Sequence, residues 1–252
     1  MLKAELIRYW ADLRFYRQLL LGNLLTAILV TGGIFYLVTL LGEASISALA
    51  ALILWQYASI PLSRISADIW EESTSGAFEQ MYLHARQPVL VLLVRMGIYA
   101  VQHTVYAIPL FLVLAAVFAL PWSALVGYPW LGLLGILILT LLGLSGLGLL
   151  VGAVLLVYRN AISYTSALEY VLLFVSGAVI PLAQLPGPIA AVAPWLPLTL
   201  GIESLRRLEA GGDVSAMVLL LALQSVVLLL VGLVAFQVAL RRALRRGFAM
   251  ST

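Results

Sequence analysis

Long uncharged stretches, separated by short charged segments, dominate the chain. They run over residues 18–42, 44–63, 96–158, 170–202 and 214–240. A helix needs about 20 apolar residues to cross a bilayer core about 30 Å thick. A crossing is helical because lipid offers no partner to free backbone groups. Each stretch is therefore long enough for at least one membrane-spanning helix.

The longest stretch has to hold two crossings. It breaks at Pro121-Trp122 and again over 127–130, where glycine, proline and aromatic residues predict a turn at the membrane interface. The expected third and fourth spans are 96–120 and 131–157.

Stretch 170–202 differs from the others because it holds five of the ten prolines. Proline removes a backbone donor and breaks helix interiors. We expect a fifth span from about 160 to 180. It is followed by a proline-bounded external segment, 181–199, that dips into or lies on the far interface.

The N-terminal region predicts a membrane helix preceded by an interfacial one. Stretch 18–42 is longer than the apolar region of a signal peptide, and no small-residue cleavage site follows it, so we interpret it as a retained first span. Residues 1–18 place apolar side chains on one helical face, which suits a helix in the plane of the interface. Such a helix is either a simple anchor or an elbow that passes movement into the first span.

Six spans place both termini on the same side, and the basic residues favour that side. Twelve of the fourteen lysines and arginines share it, and only Arg206 and Arg207 lie opposite. The positive-inside rule therefore predicts that both termini are cytoplasmic. The net charge of +3 then reports orientation, and we expect no nucleic-acid partner.

Composition excludes several classes of protein. The chain of 252 residues is 63% hydrophobic and 10% charged, whereas a soluble domain is about half apolar and a quarter charged. The absence of cysteine excludes disulfides, thiolate metal sites and a cysteine nucleophile. The single lysine, Lys3, excludes a P-loop, which needs a lysine directly after its second glycine. We expect an integral membrane protein that hydrolyses no ATP itself.

The segment 64–88 is the largest cytoplasmic connection in this topology. Its acidic residues are Asp68, Glu71, Glu72 and Glu79. Phe78, Met81 and Tyr82 can project together as an apolar knob flanked by carboxylates, which suits a helix-in-groove contact with a basic partner. A solvated loop is the alternative. Pro88 suits the first turn of the helix that leads into the third span.

Polar and aromatic side chains inside the spans are candidates for a translocation path. Glu169 is the one acid placed within a span, where ionisable groups are costly and usually face protein or water. It is either a gate or substrate contact, or a structural hydrogen-bonding group. Gln102 and His103 in the third span, with Trp55 and Tyr57 in the second, either contact substrate or serve packing.

No catalytic or metal site is expected. Gly143 to Gly146 is similar to the serine motif of rhomboid proteases, but no histidine follows it to act as the base. Two histidines on segments of different character make no metal site. Gly148 and Gly152 form a GxxxG pattern that predicts close helix packing, with a partner in the same chain or in another.

Two stretches resemble a known family. Residues 72–80 are similar to the E-x-x-x-G-x-x-E-Q stretch between the second and third spans of type-2 ABC exporter permeases, with Ala77 and Phe78 where the family usually has Thr-Leu. Residues 176–206 are similar to the family's proline-bounded external segment, its Pro-Leu-Thr and its closing Glu/Asp-x-x-Arg. With the amphipathic start and six spans, nearly the whole chain resembles the permease subunit of a type-2 ABC exporter.

The resemblance implies an all-α integral membrane fold with one transmembrane domain over 1–252. It comprises an N-terminal interface helix, six transmembrane helices, a cytoplasmic coupling helix and short external re-entrant or interfacial helices before the last span. The implied ATPase-coupling residues are Glu71, Glu72, Gly76, Phe78, Glu79, Gln80, Met81 and Tyr82. The implied external-segment residues are Pro181, Pro186, Pro197, Glu203 and Arg206.

The resemblance also implies partners and a location. Two ATP-binding cassette subunits would hold ATP and Mg, with no cofactor in this chain, and a second permease copy would complete a homodimer among membrane lipids. The location would be the cell (inner) membrane of a bacterium or archaeon. The uncharged external segment favours an amphiphilic substrate such as a drug, lipid or glycolipid, and the resemblance implies that this substrate is exported. A polysaccharide exporter, an ion-coupled carrier and a membrane scaffold are the alternatives.

Overall fold

The computed structural model describes residues 17–42, 44–75, 88–158 and 163–245, and these are helical with no strand among them. The helices are α1 (Arg17–Leu40), α2 (Ile46–Gln56), α3 (Ile65–Ser75), α4 (Pro88–Val117), α5 (Trp122–Val126), α6 (Trp130–Val157), α7 (Thr165–Val175), α8 (Gly187–Val192), α9 (Pro197–Glu209) and α10 (Ser215–Arg245). One π-helical turn, Ile60–Arg64, joins α2 to α3, and 3-10 turns at Leu182–Gln184 and Ala193–Trp195 flank α8. The predicted interface helix over 1–18 lies almost entirely outside the described residues.

Four helices in the described ranges are long and apolar enough to cross a bilayer. They are Ile46–Glu72, Val89–Val117, Trp130–Val157 and Ser215–Ala243. A fifth is present if α8 and α9, which meet at 90°, count as one broken span. The predicted all-α membrane fold is therefore confirmed, whereas the six-span layout stays a prediction.

The second span continues further than its sequence pattern indicated. We expected it to end at 63, but the helix runs on through the π turn into α3 as far as Ser75. Pro61 lies inside this turn and has no N–H to donate, and the wider π turn, in which Ile65 N–H bonds to the Ile60 carbonyl, accommodates it.

The predicted fifth span is shorter than expected. Helix α7 has 11 residues and so rises about 16 Å, which is less than the thickness of a bilayer core. It ends at Val175 because the chain turns at Gly177, whose φ of 86° is a conformation that favours glycine. A single helix from 160 to 180 is therefore wrong.

Helix α9 is re-entrant. A Cβ added to Gly143, halfway along α6, would lie 2.6 Å from Pro197, and one added to Gly132, near the start of α6, would lie 3.0 Å from Leu208. Helix α9 therefore begins at mid-depth of α6 and returns to the end where α6 begins. The proline-bounded segment 181–199 therefore ends inside the bundle at Pro197, whereas its position relative to the far membrane interface stays a prediction.

Glycines on α6 allow several elements to pack closely against it. A Cβ added to Gly148 would lie 2.5 Å from the Pro61 carbonyl oxygen, and one added to Gly152 would lie 2.9 Å from Ile69. The predicted close packing of this GxxxG pair thus has partners in the same chain.

The most extensive helix contact in the described part is between α6 and α10. At its centre Gly146 faces the backbone of Leu228, and Gly232 faces the backbone of Gly146, so neither position has room for a side chain. Small residues permit this approach, which van der Waals contact then stabilises.

We expect Gly146→Ala to destabilise the bundle, because its methyl group would displace the α10 backbone. Overpacking of this kind costs roughly 1–3 kcal/mol. The matched control is Gly135→Ala on the same helix, where no heavy atom lies within 4 Å of an added Cβ. Thermal unfolding in detergent measures both, and equal shifts for the two variants would show that the α6–α10 contact is looser than described.

Candidate functional site

A buried arginine joins α4 to α3. The Arg95 side chain is 6% exposed, and its Nη1 lies 2.6 Å from Glu72 Oε1 and 3.8 Å from Asp68 Oδ2. Removing a charge from water is costly unless it is paired and hydrogen-bonded. The two carboxylates of α3 supply that pairing, so the charged groups bind the two helices together.

Two further side chains extend this arrangement. The Tyr99 hydroxyl donates to Asp68 Oδ2 at 2.8 Å, and the Arg64 guanidinium lies 4.2 Å from the centre of the Tyr99 ring, within the range of a cation–π contact. We call Arg64, Asp68, Glu72, Arg95 and Tyr99 the α3–α4 charge network. It contains two cations and two carboxylates in a largely apolar bundle.

The network lies beside the predicted coupling segment. Helix α3 ends at Ser75 and α4 begins at Pro88, as the sequence pattern anticipated for this proline. The charge network therefore joins the two helices that flank residues 76–87 in the chain. Gly76, Phe78, Glu79, Gln80, Met81 and Tyr82 lie outside the described residues.

The orientation of two acids differs from the sequence-based interpretation. We expected the carboxylates of this region to face a partner, but those of Asp68 and Glu72 are 18% and 15% exposed and turn towards Arg95. A buried guanidinium requires counter-charges, which explains the difference. Glu71 lies on the exposed side of α3. Roles of Glu71 and Glu72 in coupling remain predictions.

Two candidate path residues meet where α2 lies near α7. The Trp55 Nε1–H donates to the backbone carbonyl of Glu169 at 2.8 Å, so the contact does not use the carboxylate. That carboxyl lies beside Ser63 of the π turn. Its Oε1 is buried, with no hydrogen-bond partner in the described ranges.

Two other candidates meet between α2 and α4. The ring of Tyr57 packs edge-on against His103, with centroids 4.5 Å apart, and its hydroxyl lies 2.7 Å from Thr104 Oγ1. His103 Nε2 and Gln102 Oε1 are buried without hydrogen-bond partners in the described part of the chain. The structure thus pairs Trp55 with Glu169 and Tyr57 with His103, and contact of these residues with a substrate stays a prediction.

Prolines begin the helical elements of the proline-bounded segment, and one hydrogen bond holds the turn that precedes it. Pro181 and Pro186 precede short helical turns, and Pro197 begins α9. Arg206 Nη2–H donates to the Gly177 carbonyl at 2.8 Å, which holds the turn that ends α7. Glu203 lies 3.9 Å from Arg207 in an exposed pair one helical turn apart.

Helix α9 also holds the beginning of α2. The Glu209 carboxylate accepts the backbone N–H groups of Ile46 at 3.1 Å and Ser47 at 2.9 Å. These are orphan donors of a helix N-terminus, where a negative charge is favourable.

Burial, together with the charge of Glu209, raises the pKa of Tyr128 to about 12.

We did not predict from the sequence the positioning roles of Arg64, Arg95, Tyr99 and Glu209. Asp68 and Glu72 are four residues apart, as are Arg95 and Tyr99, which places each pair on one helical face. This spacing was the sequence signal that could have indicated a contact between the two helices. Nothing in the sequence indicated Glu209 as a cap, because its partners are more than 160 residues away.

The described residues include no group of three or more His, Asp or Glu side chains that could hold a metal ion. A sequence profile of the ABC-2 family transporter protein family matches residues 41–240. No curated protein matches the chain significantly. The profile covers most of the chain, so the chain belongs to the ABC-2 family. It is a multi-pass permease, the transmembrane subunit of an ABC transporter, and the family implies ATP-binding partner subunits.

We expect Arg95→Gln to destabilise the fold by about 3–5 kcal/mol, because it leaves two carboxylates without their buried counter-charge. The matched control is Arg207→Gln, whose side chain is 52% exposed and whose ion pair should contribute within about 1 kcal/mol. Unfolding by SDS titration in mixed micelles measures both.

The double variant Arg95→Gln/Glu72→Gln should recover part of the loss, because one uncompensated carboxylate is removed. Equal stability of Arg95→Gln and Arg207→Gln would contradict the network's structural role.

Proposed function

We propose that this permease belongs to an ATP-driven exporter that moves an amphiphile, such as a drug, lipid or glycolipid, out of the cytoplasm or the inner leaflet. The α3–α4 charge network is the observation that supports it most directly. The network joins α3 and α4 into one unit, and these two helices flank the segment where an ATP-binding subunit would dock.

Transmission of movement follows from the contacts around this unit. The segment from Glu71 to Tyr82 acts as a coupling helix in a groove of the ATP-binding subunit. When two such subunits close on ATP, they displace α3 and α4 together. The displacement continues through the π turn, where Pro61 lies against Gly148 of α6. From α6 it reaches the start of α9 through the contact between Gly143 and Pro197.

The complete transporter holds two copies of this permease and two ATP-binding subunits, which carry ATP and Mg. Six spans, with α1 and α7 contributing to the first and fifth, place both termini in the cytoplasm of a bacterial or archaeal cell. The unequal distribution of basic residues supports this orientation. The re-entrant α9 then lies at the external end.

An amphiphilic substrate suits the chemistry of the bundle. The segment 181–199 carries no charge, and the polar groups of the candidate path, including Gln102, His103 and Glu169, are few among apolar neighbours. Aromatic side chains such as Trp55 and Tyr57 can face either an alkyl chain or a sugar ring. A glycan-linked lipid therefore remains within the proposed class.

Co-expression with the candidate ATP-binding subunit, followed by pull-down and an ATPase assay in lipid, tests the proposal. We expect the subunit to be retained and amphiphile transport to depend on ATP. A complex that retains no ATP-binding protein would contradict the proposed function.

Variants locate the coupling step. We expect Glu79→Arg and Gly76→Pro to detach or uncouple the ATP-binding subunit. Tyr99→Phe removes only the hydroxyl that donates to Asp68, so it should retain the subunit and lower ATP-driven transport severalfold. Unchanged transport in all three variants would refute the coupling assignment.

A further inference from the structure

A cavity of about 380 Å³ lies between α2, α4, α6 and α9, a volume typical of a small-molecule site. Its wall on α4 extends from Thr104 to Leu112, which is about 12 Å of helix. Trp130 and Leu205 mark its other end. The cavity therefore occupies the half of the bundle where α6 begins and α9 ends.

The lining is suited to hydrocarbon and to little else. All of it is apolar except Tyr57, Thr104 and the indole nitrogen of Trp130. The Tyr57 hydroxyl and Thr104 Oγ1 are 2.7 Å apart, and Trp130 Nε1–H donates to the Leu125 carbonyl at 3.0 Å. Thr104 Oγ1–H donates to the Ala100 carbonyl at 2.9 Å, so the Tyr57 hydroxyl donates to Thr104, and the cavity offers no free hydrogen-bond donor to a polar ligand.

The cavity opens on an exposed apolar face of α4 and α6. Ile108, Leu112 and Leu134 line it and are 57%, 47% and 50% exposed. Its deeper wall is closed, with Leu54, Ala107 and Leu205 buried. A chain in the surrounding lipid can therefore enter sideways between α4 and α6 without crossing a polar barrier.

We propose that this cavity binds one alkyl chain of a membrane amphiphile, with the chain end near Tyr57 and Thr104 and the head group at the level of Trp130. An unfilled apolar cavity forfeits dispersion contacts, and apolar cavities of this kind bind apolar molecules rather than water. The head group is placed beside Trp130 because tryptophan side chains are enriched at the level of lipid head groups.

The inference rests on the proposed function for two points: that the bound amphiphile is of the exported class, and that the site lies in the outer leaflet. Chain binding itself requires no ATP-binding subunit. Binding and transport can therefore fail separately.

The test uses the full chain in nanodiscs of phosphatidylcholine that carries a diazirine at the end of one acyl chain. After illumination, mass spectrometry maps the adducts. We expect them on the inner lining, at Leu54, Tyr57 and Ala107. Ala107→Phe, which fills the cavity, should lower this labelling about tenfold, equivalent to about 1.4 kcal/mol of binding.

The matched control is Ala116→Phe, on the lipid-exposed face of the same helix, which should leave the labelling unchanged. If gel filtration shows that Ala107→Phe does not fold, Ala50→Phe fills the cavity from α2. Adducts confined to outward residues such as Val101 and Val113, or equal inner labelling in the filled and control variants, would overturn the proposal.

Transport provides the independent readout. Inner labelling without any ATP-driven transport would contradict only the proposed function. Transport without inner labelling would contradict only the chain-binding site.

Discussion

The burial of Arg95 is the constraint on which the membrane-embedded architecture depends. A guanidinium that is 6% exposed in an apolar bundle is tolerated only beside counter-charges, and Glu72 and Asp68 provide them. This requirement commits α3 to α4. It also explains how a helix that carries charged residues can continue from the second span, because the carboxylates of Asp68 and Glu72 face Arg95 within the protein.

Close backbone contacts extend this unit across the bundle. Pro61 of the π turn lies against Gly148, and Gly146 brings α10 onto the other side of α6. Pro197 begins the re-entrant helix beside Gly143. Helix α6 therefore contacts the π turn and α3 near one end, the start of α9 at its middle, and α10 along its length. Interfaces this tight switch between discrete packing arrangements rather than deform continuously, which suits a permease driven from one face.

The sequence predicted what depends on local pattern and missed what depends on distant contacts. Apolar length was sufficient for the long spans, and Pro88 correctly indicated the start of α4. The predicted length of the fifth span was wrong because α7 ends early, at the turn around Gly177. A hydrogen bond from Arg206 holds this turn. The inward orientation of Glu72 could not be predicted, because its partner lies 23 residues away on another helix.

We infer that the charge network makes α3 and α4 one moving body. The chain has no cysteine, so spin labels at the exposed positions Ala67 and Leu90 would be unique. Pulsed electron paramagnetic resonance measures the distance between the two labels in the complex with the ATP-binding subunits. The Ala67–Leu90 distance should be the same with and without ATP. The distance from Leu90 to the exposed Val154 of α6 should change. An ATP-dependent change in the Ala67–Leu90 distance would contradict the claim.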